Sequence, residues 1–388
     1  MKGLRFQSVG EIVERLNPSY PVFVIFPDVL EARAKAFIAG FPGTVLYAVK
    51  CNPDPHVLRA LYAAGIRHFD TASLPEIAKI SELFPDANCY FNHPVKSRGA
   101  LESASDVYGI EHYVVDHIGE LDKLHEVVGR DITVEVRIST PKNMALYNLS
   151  SKFGAMADDA VALLKEANAR GSRTAIAFHV GSQCTEPQAY RSAMGAAADV
   201  ANRAGVPIEY IDVGGGFPAD YGEPIPPLEA FFDAIRLAKR DFAIDVPLLA
   251  EPGRALVADG CSVLVQVQLR KGDDLYINDG IYGGLSEIHL ADLKPPVRAI
   301  ASDARRGAGR VVDGSLKPFR IFGPTCDSLD VFKVRFDLPD GIGEGDWIEF
   351  GHLGAYSIGM QSGFNEFFTD TVVQVSGPQD AFQGEVDE

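Results

Sequence analysis

Lys50 closes the apolar run Thr44-Val-Leu-Tyr-Ala-Val-Lys50 and is followed at once by Cys51-Asn-Pro-Asp-Pro55. An amine fixed at the end of a buried strand, then released into a proline-broken turn, is held rigidly beside whatever the strand ends face. Burial there is expected to lower its pKa and make it a nucleophile toward an aldehyde. Phe178-His-Val-Gly-Ser-Gln183 sets an imidazole at another strand end, with Gly181 and Ser182 in the next turn. Asp212-Val-Gly-Gly-Gly-Phe-Pro218 runs a strand into three glycines, whose N–H groups can approach an anion such as a phosphate closely. Ala250-Glu-Pro-Gly-Arg254 places a carboxylate and a guanidinium three residues apart. The arginine suits a phosphate, and Glu251 suits a ring nitrogen that must stay protonated. Gly323-Pro-Thr-Cys-Asp327 and Gly354-Ala-Tyr-Ser357 follow later in the chain.

Each of these has an ordinary structural explanation when taken alone. A strand-end lysine can snorkel to water, and a triple glycine can be a tight turn. Glu251 and Arg254 can be a structural ion pair. A lone histidine at a strand end is more often a hydrogen-bonded core residue, and a Gly-flanked tyrosine is commonly just packed. What favours chemistry is their order along one repeating architecture.

That architecture is a strand-helix alternation from about residue 22 to residue 257. The strand candidates are residues 22–26, 45–49, 89–91, 113–115, 132–137, 175–179, 210–213 and 248–250, with helices at 55–64, 74–83 and 187–204 among those between them. Such alternation builds a parallel sheet, and chemical residues at the C-terminal ends of many strands favour an eight-fold barrel over a doubly wound sheet. After about residue 258 the texture changes to alternating strands between Gly/Asp turns: 263–269, 274–278, 319–322 and 346–350. The expectation is an α/β (β/α)8 barrel over 26–257 and a mostly antiparallel β domain over 258–388, with 1–25 packing onto the latter. Residues 139–153 form a long loop between strands, the kind that serves as a lid at a barrel mouth. Residues 301–317, rich in Arg, Gly and Asp, are expected to be an exposed loop without a function of their own.

With 388 residues the chain is long enough for two domains. Its net charge of -17 argues against a nucleic-acid surface. No stretch reaches the roughly 18 apolar residues of a membrane span, and Met1-Lys-Gly-Leu-Arg-Phe-Gln7 lacks the apolar core of a signal peptide. A cytoplasmic protein, bound to neither nucleic acid nor membrane, is expected. Cys51, Cys89, Cys184, Cys261 and Cys326 are scattered without a CxxC pair, so neither a disulfide framework nor a metal site is expected.

The segments Tyr47-Ala-Val-Lys-Cys-Asn52, Phe178-His-Val-Gly-Ser182, Asp212-Val-Gly-Gly-Gly-Phe-Pro218, Glu251-Pro-Gly-Arg254 and Gly323-Pro-Thr-Cys-Asp327, in this order, resemble the fold-type III pyridoxal phosphate-dependent decarboxylases, most closely the ornithine/lysine decarboxylase family. With Gly354-Ala-Tyr-Ser357 they span residues 47 to 357, nearly the whole chain. The resemblance implies the alanine-racemase-like barrel fold and pyridoxal 5'-phosphate as cofactor, carried covalently by Lys50. It implies His179 against the pyridine face and Glu251 at the ring nitrogen. Ser182, Gly214, Gly215, Gly216, Arg254 and Tyr356 would take the phosphate, and Asp70 and Arg137 would line the cofactor site. Cys326 would return a proton to the substrate α-carbon and Asp327 would meet a distal ammonium. The Cys326–Asp327 loop would serve a partner subunit, which implies a homodimer with shared active sites. The implied reaction is decarboxylation of a basic L-amino acid, ornithine first and lysine next, to the amine and carbon dioxide.

Two positions depart from the family pattern. A second acid shortly after Asn278-Asp-Gly-Ile-Tyr-Gly283 is replaced by Ala291, with Asp292 immediately after it. Either Asp292 reaches in as a substrate ligand, or the distal ammonium loses one carboxylate, and an unpaired buried ammonium is costly. The family's Phe-Asn-Gly-Phe is Phe364-Asn-Glu-Phe367 here, which adds Glu366. A modified or larger amino acid is the alternative substrate. A racemase is the alternative reaction, against which Glu251 speaks because racemases of this fold set an arginine at the ring nitrogen. A non-catalytic regulatory homologue is the remaining alternative, and the retained Lys50, His179, Glu251, Arg254 and Cys326 speak against it.

Overall fold

The computed structural model describes residues 5–140, 152–302 and 308–376. The expected lid falls mostly on residues 141–151 and the expected exposed loop partly on 303–307, both outside the described residues. The chain enters through β1 (Arg5–Phe6), α1 (Val9–Leu16), β2 (Val22–Ile25) and α2 (Pro27–Gly40). Ser8 caps α1 by accepting the N–H of Glu11, and Pro27 opens α2 where its missing N–H costs nothing.

Eight parallel strands then close a barrel: β3 (Thr44–Ala48), β4 (His68–Thr71), β5 (Asn88–Phe91), β6 (His112–Val115), β7 (Thr133–Arg137), β8 (Arg173–Ala177), β9 (Ile211–Asp212) and β10 (Leu248–Ala250). β10 pairs back onto β3 through Leu249 and Ala250. The helices between them are α3 (Pro55–Ala63), α4 (Leu74–Leu83), α5 (Arg98–Asp106), α6 (Ile118–Val127), α7 (Ala157–Ala169), α8 (Pro187–Ala204) and α9 (Leu228–Asp241), with α10 (Arg254–Val257) after β10. Their apolar faces make one continuous core with the outward faces of the strands. In that core Phe217 packs edge-on to Phe37 at 5.0 Å and stacks on Tyr190 at 4.7 Å. Because Phe217 directly follows the triple glycine, this aromatic block anchors the loop at the barrel mouth. Truncating a buried phenylalanine of this kind to alanine costs about 3–5 kcal/mol.

The strand candidate at 22–26 does not enter the barrel. Val22, Phe23, Val24 and Ile25 are all buried, which from sequence looks like a barrel strand, but β2 lies inside a second sheet. The barrel strand that completes the eight is β4, His68-Phe-Asp-Thr71, which has no apolar run because His68 and Asp70 point inward. The second sheet contains β11 (Cys261–Lys271), β12 (Asp274–Ile277), β13 (Val297–Ile300), β14 (Leu316–Phe322), β15 (Phe336–Pro339), β16 (Trp347–Phe350) and β17 (Val372–Val375), with α11 (Ser286–Leu290) beside it. Its main path runs β1-β17-β2-β11-β12-β14-β15, and β16 joins β11 to β13. Most pairings are antiparallel, while β1–β17, β17–β2 and β12–β14 are parallel. A second core fills one face of this sheet around Phe319, Phe336 and Phe350, and a third packs Trp347 with Val22 and Val24 on the other.

Among the described residues no helix is long and apolar enough to cross a membrane.

Candidate active site

β3 ends at Ala48, and Val49–Cys51 form a single 3-10 turn that tips Lys50 into the barrel mouth. The turn is fastened on both sides. The Tyr47 hydroxyl donates to the Asn52 carbonyl (3.0 Å), and Asn52 Nδ2 donates to the Gly354 carbonyl (2.8 Å). The Tyr356 N–H donates to the Cys51 carbonyl (2.8 Å), so the loop at 354–356 is tied directly behind the lysine. Lys50 Nζ pairs with the buried Asp70 carboxylate at the end of β4.

The lysine pKa is not lowered as its burial suggested. Two-fifths of the side chain still faces the open mouth. Desolvation by the walls pulls the pKa down, but the nearby Asp70 and Glu251 carboxylates outweigh it and hold the amine above the ordinary lysine value. The amine is therefore stored as an ammonium beside Asp70, and reaching the free base requires passing a proton to a neighbour.

Glu251 leaves β10 and accepts a hydrogen bond from Asn92 Nδ2 at 2.5 Å. Burial first, then the Asp70 charge, push its pKa up to about 7, against the opposing pull of Lys50 and Arg137. Below it in the barrel Glu135 and Asp212 are fully buried, and desolvation raises both well above the carboxylate range. Burial thus disfavours the charge on both, while Glu251 and Asp70 are the acids that act on Lys50 at the mouth. His179 Nδ1 accepts the N–H of Gly181 (2.9 Å), which fixes its ring. Desolvation, with Arg137 and Lys50 nearby, depresses its pKa well below the ordinary value, so the imidazole is neutral. A neutral ring held flat at the mouth suits stacking on a cationic heterocycle. Arg137, at the end of β7, sits with its guanidinium 5.7 Å from the Phe153 ring centre.

Across from the lysine the chain builds an anion cradle. Gly214 and Gly216 have positive φ (68° and 104°), a conformation that glycine adopts without strain. A Cβ at either would run into the carbonyl oxygens of Phe178 and Gly181, and one at Gly215 would stand 2.6 Å from the Glu251 carbonyl oxygen. Backbone thus approaches where a side chain cannot. Arg254, buried at the start of α10, donates to Ser182 Oγ (3.2 Å) and lies 5.2 Å from the Tyr356 ring centre. Its Nε is buried with no partner, as are Asp70 Oδ1 and Asn92 Oδ1. Glycine backbone, a serine hydroxyl and an arginine with a free donor fit a phosphate. A lysine, a neutral histidine and a carboxyl near pH 7 fit an aldehyde-bearing pyridine ring.

The structure brings Lys50, Asp70, Arg137, His179 and Glu251 into one electrostatically linked group, and Ser182, the glycines, Arg254 and Tyr356 into a second beside it. Cys326 and Asp327 belong to the loop between β14 and β15 of the second sheet. Cys326 is exposed and its N–H donates to Asn365 Oδ1 (3.2 Å), while Asp327 accepts from the Tyr282 hydroxyl. The buried Asp330 braces that loop by accepting from Thr325 N–H (3.0 Å) and Ile281 N–H (3.0 Å). Ala291 packs partly against the barrel core. Asp292 has φ +49°, pairs with Lys333 at 3.1 Å and has a side chain 57 % exposed. Four contributors went unread in the sequence: Asn92 on Glu251, Tyr221 and Glu287 on Arg254, and Tyr282 on Asp327. Asn92 alone carried a signal, since it directly follows β5, two residues after the inward-facing Tyr90.

Residues 28–258 match the family model described as "Pyridoxal-dependent decarboxylase, pyridoxal binding domain". Ornithine decarboxylase of Schizosaccharomyces pombe is 35% identical over 342 residues, which cover 84% of this chain and 76% of that protein. Lysine/ornithine decarboxylase of Selenomonas ruminantium is 32% identical over 335 residues, covering 84% and 81%. The crystal structure of lysine/ornithine decarboxylase from Vibrio vulnificus, complexed with putrescine, superposes with a TM-score of 0.81 at 29% identity, covering 95% of this chain and 97% of that one.

Proposed function

The chain belongs to the ornithine/lysine decarboxylase family of fold-type III pyridoxal phosphate-dependent decarboxylases, and from that premise we propose that it removes carbon dioxide from L-ornithine, or next from L-lysine, leaving the diamine. It is a pyridoxal phosphate-dependent amino-acid decarboxylase acting on basic amino acids. The observation that carries the residue assignment is the juxtaposition of Lys50, Asp70 and Glu251 with the cradle of glycine backbone, Ser182 and Arg254.

The bound cofactor supplies the electron sink for the bond to the departing carboxylate. The chain does the rest. Lys50 is the covalent anchor, and Asp70 beside it can take the proton that frees the amine. His179, neutral and fixed by Gly181, would cover one face of the cofactor ring. Glu251, its carboxyl held in place by Asn92, would meet the ring nitrogen of the bound cofactor. Its pKa near 7 lets it share a proton with a pyridine nitrogen at neutral pH. Arg137 lines the mouth, and Ser182, Gly214, Gly215, Gly216, Arg254 and Tyr356 hold the phosphate. Cys326, a free and exposed thiol, would supply the proton that the α-carbon needs once carbon dioxide has left. Asp327 meets the distal ammonium. Asp292 could do so only by giving up Lys333.

We assign Cys326 and Asp327 to the active site of a second subunit, in a homodimer with two shared sites. The exposed apolar side chains of Leu329, Met360, Phe364, Phe367 and Phe368 in the same region support that reading.

The test is release of amine and carbon dioxide from L-ornithine, L-lysine, L-arginine and diaminopimelate with added pyridoxal phosphate, for the native protein and Lys50→Ala. Turnover of ornithine or lysine that vanishes in Lys50→Ala is expected. Full turnover by Lys50→Ala, or inversion of the substrate without gas release, overturns the reading.

A further inference from the structure

Arg254 is more heavily engaged than a guanidinium reserved for a phosphate needs to be. Its NH1 donates to the Tyr221 hydroxyl (2.7 Å) and to Glu287 Oε2 (2.9 Å). Its NH2 donates to Ser182 Oγ (3.2 Å) and to Glu287 Oε1 (2.5 Å). Only Nε–H is left, buried and without a partner. Glu287 is thus a bidentate partner of the kind that a phosphate offers to the same fork. Both side chains are almost fully buried, at 4% and 7% exposure, so water competes for neither. The carboxylate comes from outside the barrel, from α11 beside the second sheet. The carbonyl of Glu287 accepts the N–H of Ala291 (3.0 Å), so this short helix joins the Arg254 partner to the position where the family's second acid is missing.

We propose that Glu287 is a resident competitor of the cofactor's phosphate, its carboxylate holding the NH1 and NH2 edge of Arg254 until the phosphate displaces it and frees α11. The proposal rests on the reading above in which Arg254 receives the phosphate. A phosphate reaching that edge regains the charge-assisted bonds that the carboxylate gives up. Arg254 stays in place during the exchange, because Tyr221 and Ser182 still hold it and the Tyr356 ring still packs on it. The consequence is a cofactor held less tightly than the cradle alone would hold it, and a helix at residues 286–290 that registers whether the cofactor is bound.

Glu287→Gln keeps the shape and removes the charge. Equilibrium titration of purified apoprotein with pyridoxal phosphate, inorganic phosphate and pyridoxal separates the effects. Glu287→Gln should bind the first two about tenfold more tightly, the equivalent of one charge-assisted hydrogen bond, and pyridoxal unchanged. Unaltered or weaker binding of the phosphate ligands, or an equal gain for pyridoxal, overturns the proposal. The native protein provides a second readout that does not depend on the variant folding. Amide hydrogen exchange at residues 286–291 should quicken when pyridoxal phosphate is added, and unchanged or slower exchange also overturns it. If the native apoprotein takes up no pyridoxal phosphate, the cofactor assignment itself fails and this proposal falls with it. Uptake without a gain in Glu287→Gln refutes this proposal alone.

Discussion

Replacing Glu251 with glutamine should stabilise the apoprotein above neutral pH while abolishing its chemistry. Burial and the Asp70 charge raise the Glu251 carboxyl from 4.5 to about 7. The folded chain therefore keeps a proton that the unfolded chain has already released. Stability must then fall as the pH climbs from about 4.5 toward 7 and level off beyond it, because the native state binds more protons in that window. The size of the fall follows from the displacement of the pKa and is about 3 kcal/mol. Glutamine resembles the neutral acid and can still accept from Asn92, so the variant carries none of this penalty. Urea unfolding of both apoproteins across the range should give nearly equal stabilities at about pH 4.5 and a gap of about 3 kcal/mol in favour of Glu251→Gln at about pH 8. Glu135 and Asp212 both feel the Glu251 charge, so its removal also eases their ionisation and widens the gap in the same direction. Parallel curves between those limits would refute the argument that this carboxyl is strained by its site. The expected pairing of higher stability with lost decarboxylation is the mark of a residue kept for function.

Gly216→Ala should weaken the cofactor's hold roughly tenfold or more, since the φ of +104° alone costs an L-residue about 1–2 kcal/mol and the new Cβ meets the Gly181 carbonyl; equilibrium titration with pyridoxal phosphate checks it, and unchanged affinity would remove Gly216 from the cradle. Ala291→Asp should lower the KM for ornithine roughly tenfold by restoring a carboxylate to the distal ammonium. Steady-state kinetics with ornithine and lysine decide this, and an unaltered KM would show that position 291 does not face the substrate.

The barrel was legible because its chemistry sits where strands stop. Lys50, His179, Gly214 and Glu251 each follow a run of buried residues, and counting those runs outlines a parallel barrel without any long-range information. Strand β4 escaped notice because His68 and Asp70 point into the barrel and break the apolar run. β2 misled for the opposite reason, since Val22–Ile25 is buried on both faces in a different sheet. The pKa of Lys50 was misjudged because burial was visible in the sequence and the approach of Asp70 and Glu251 was not. Glu287 had no signal at all. It meets Arg254 across 33 positions of sequence, from a helix of five residues whose local pattern says nothing about the barrel.

The placement of β2 also sets an order of completion for the molecule. β2 needs β11 on one side and β17 on the other, so it waits for strands made after the whole barrel. The barrel strands between them need no such wait, since β3 through β10 are all made before residue 251. A growing chain can thus close the barrel and present Lys50, His179 and Arg254 while Glu287 and Tyr356 are still missing. The two side chains that flank Arg254 from outside the barrel arrive only with the second sheet. The cofactor cradle is accordingly among the last parts of the protein to be finished, although all of its residues but Tyr356 belong to the barrel.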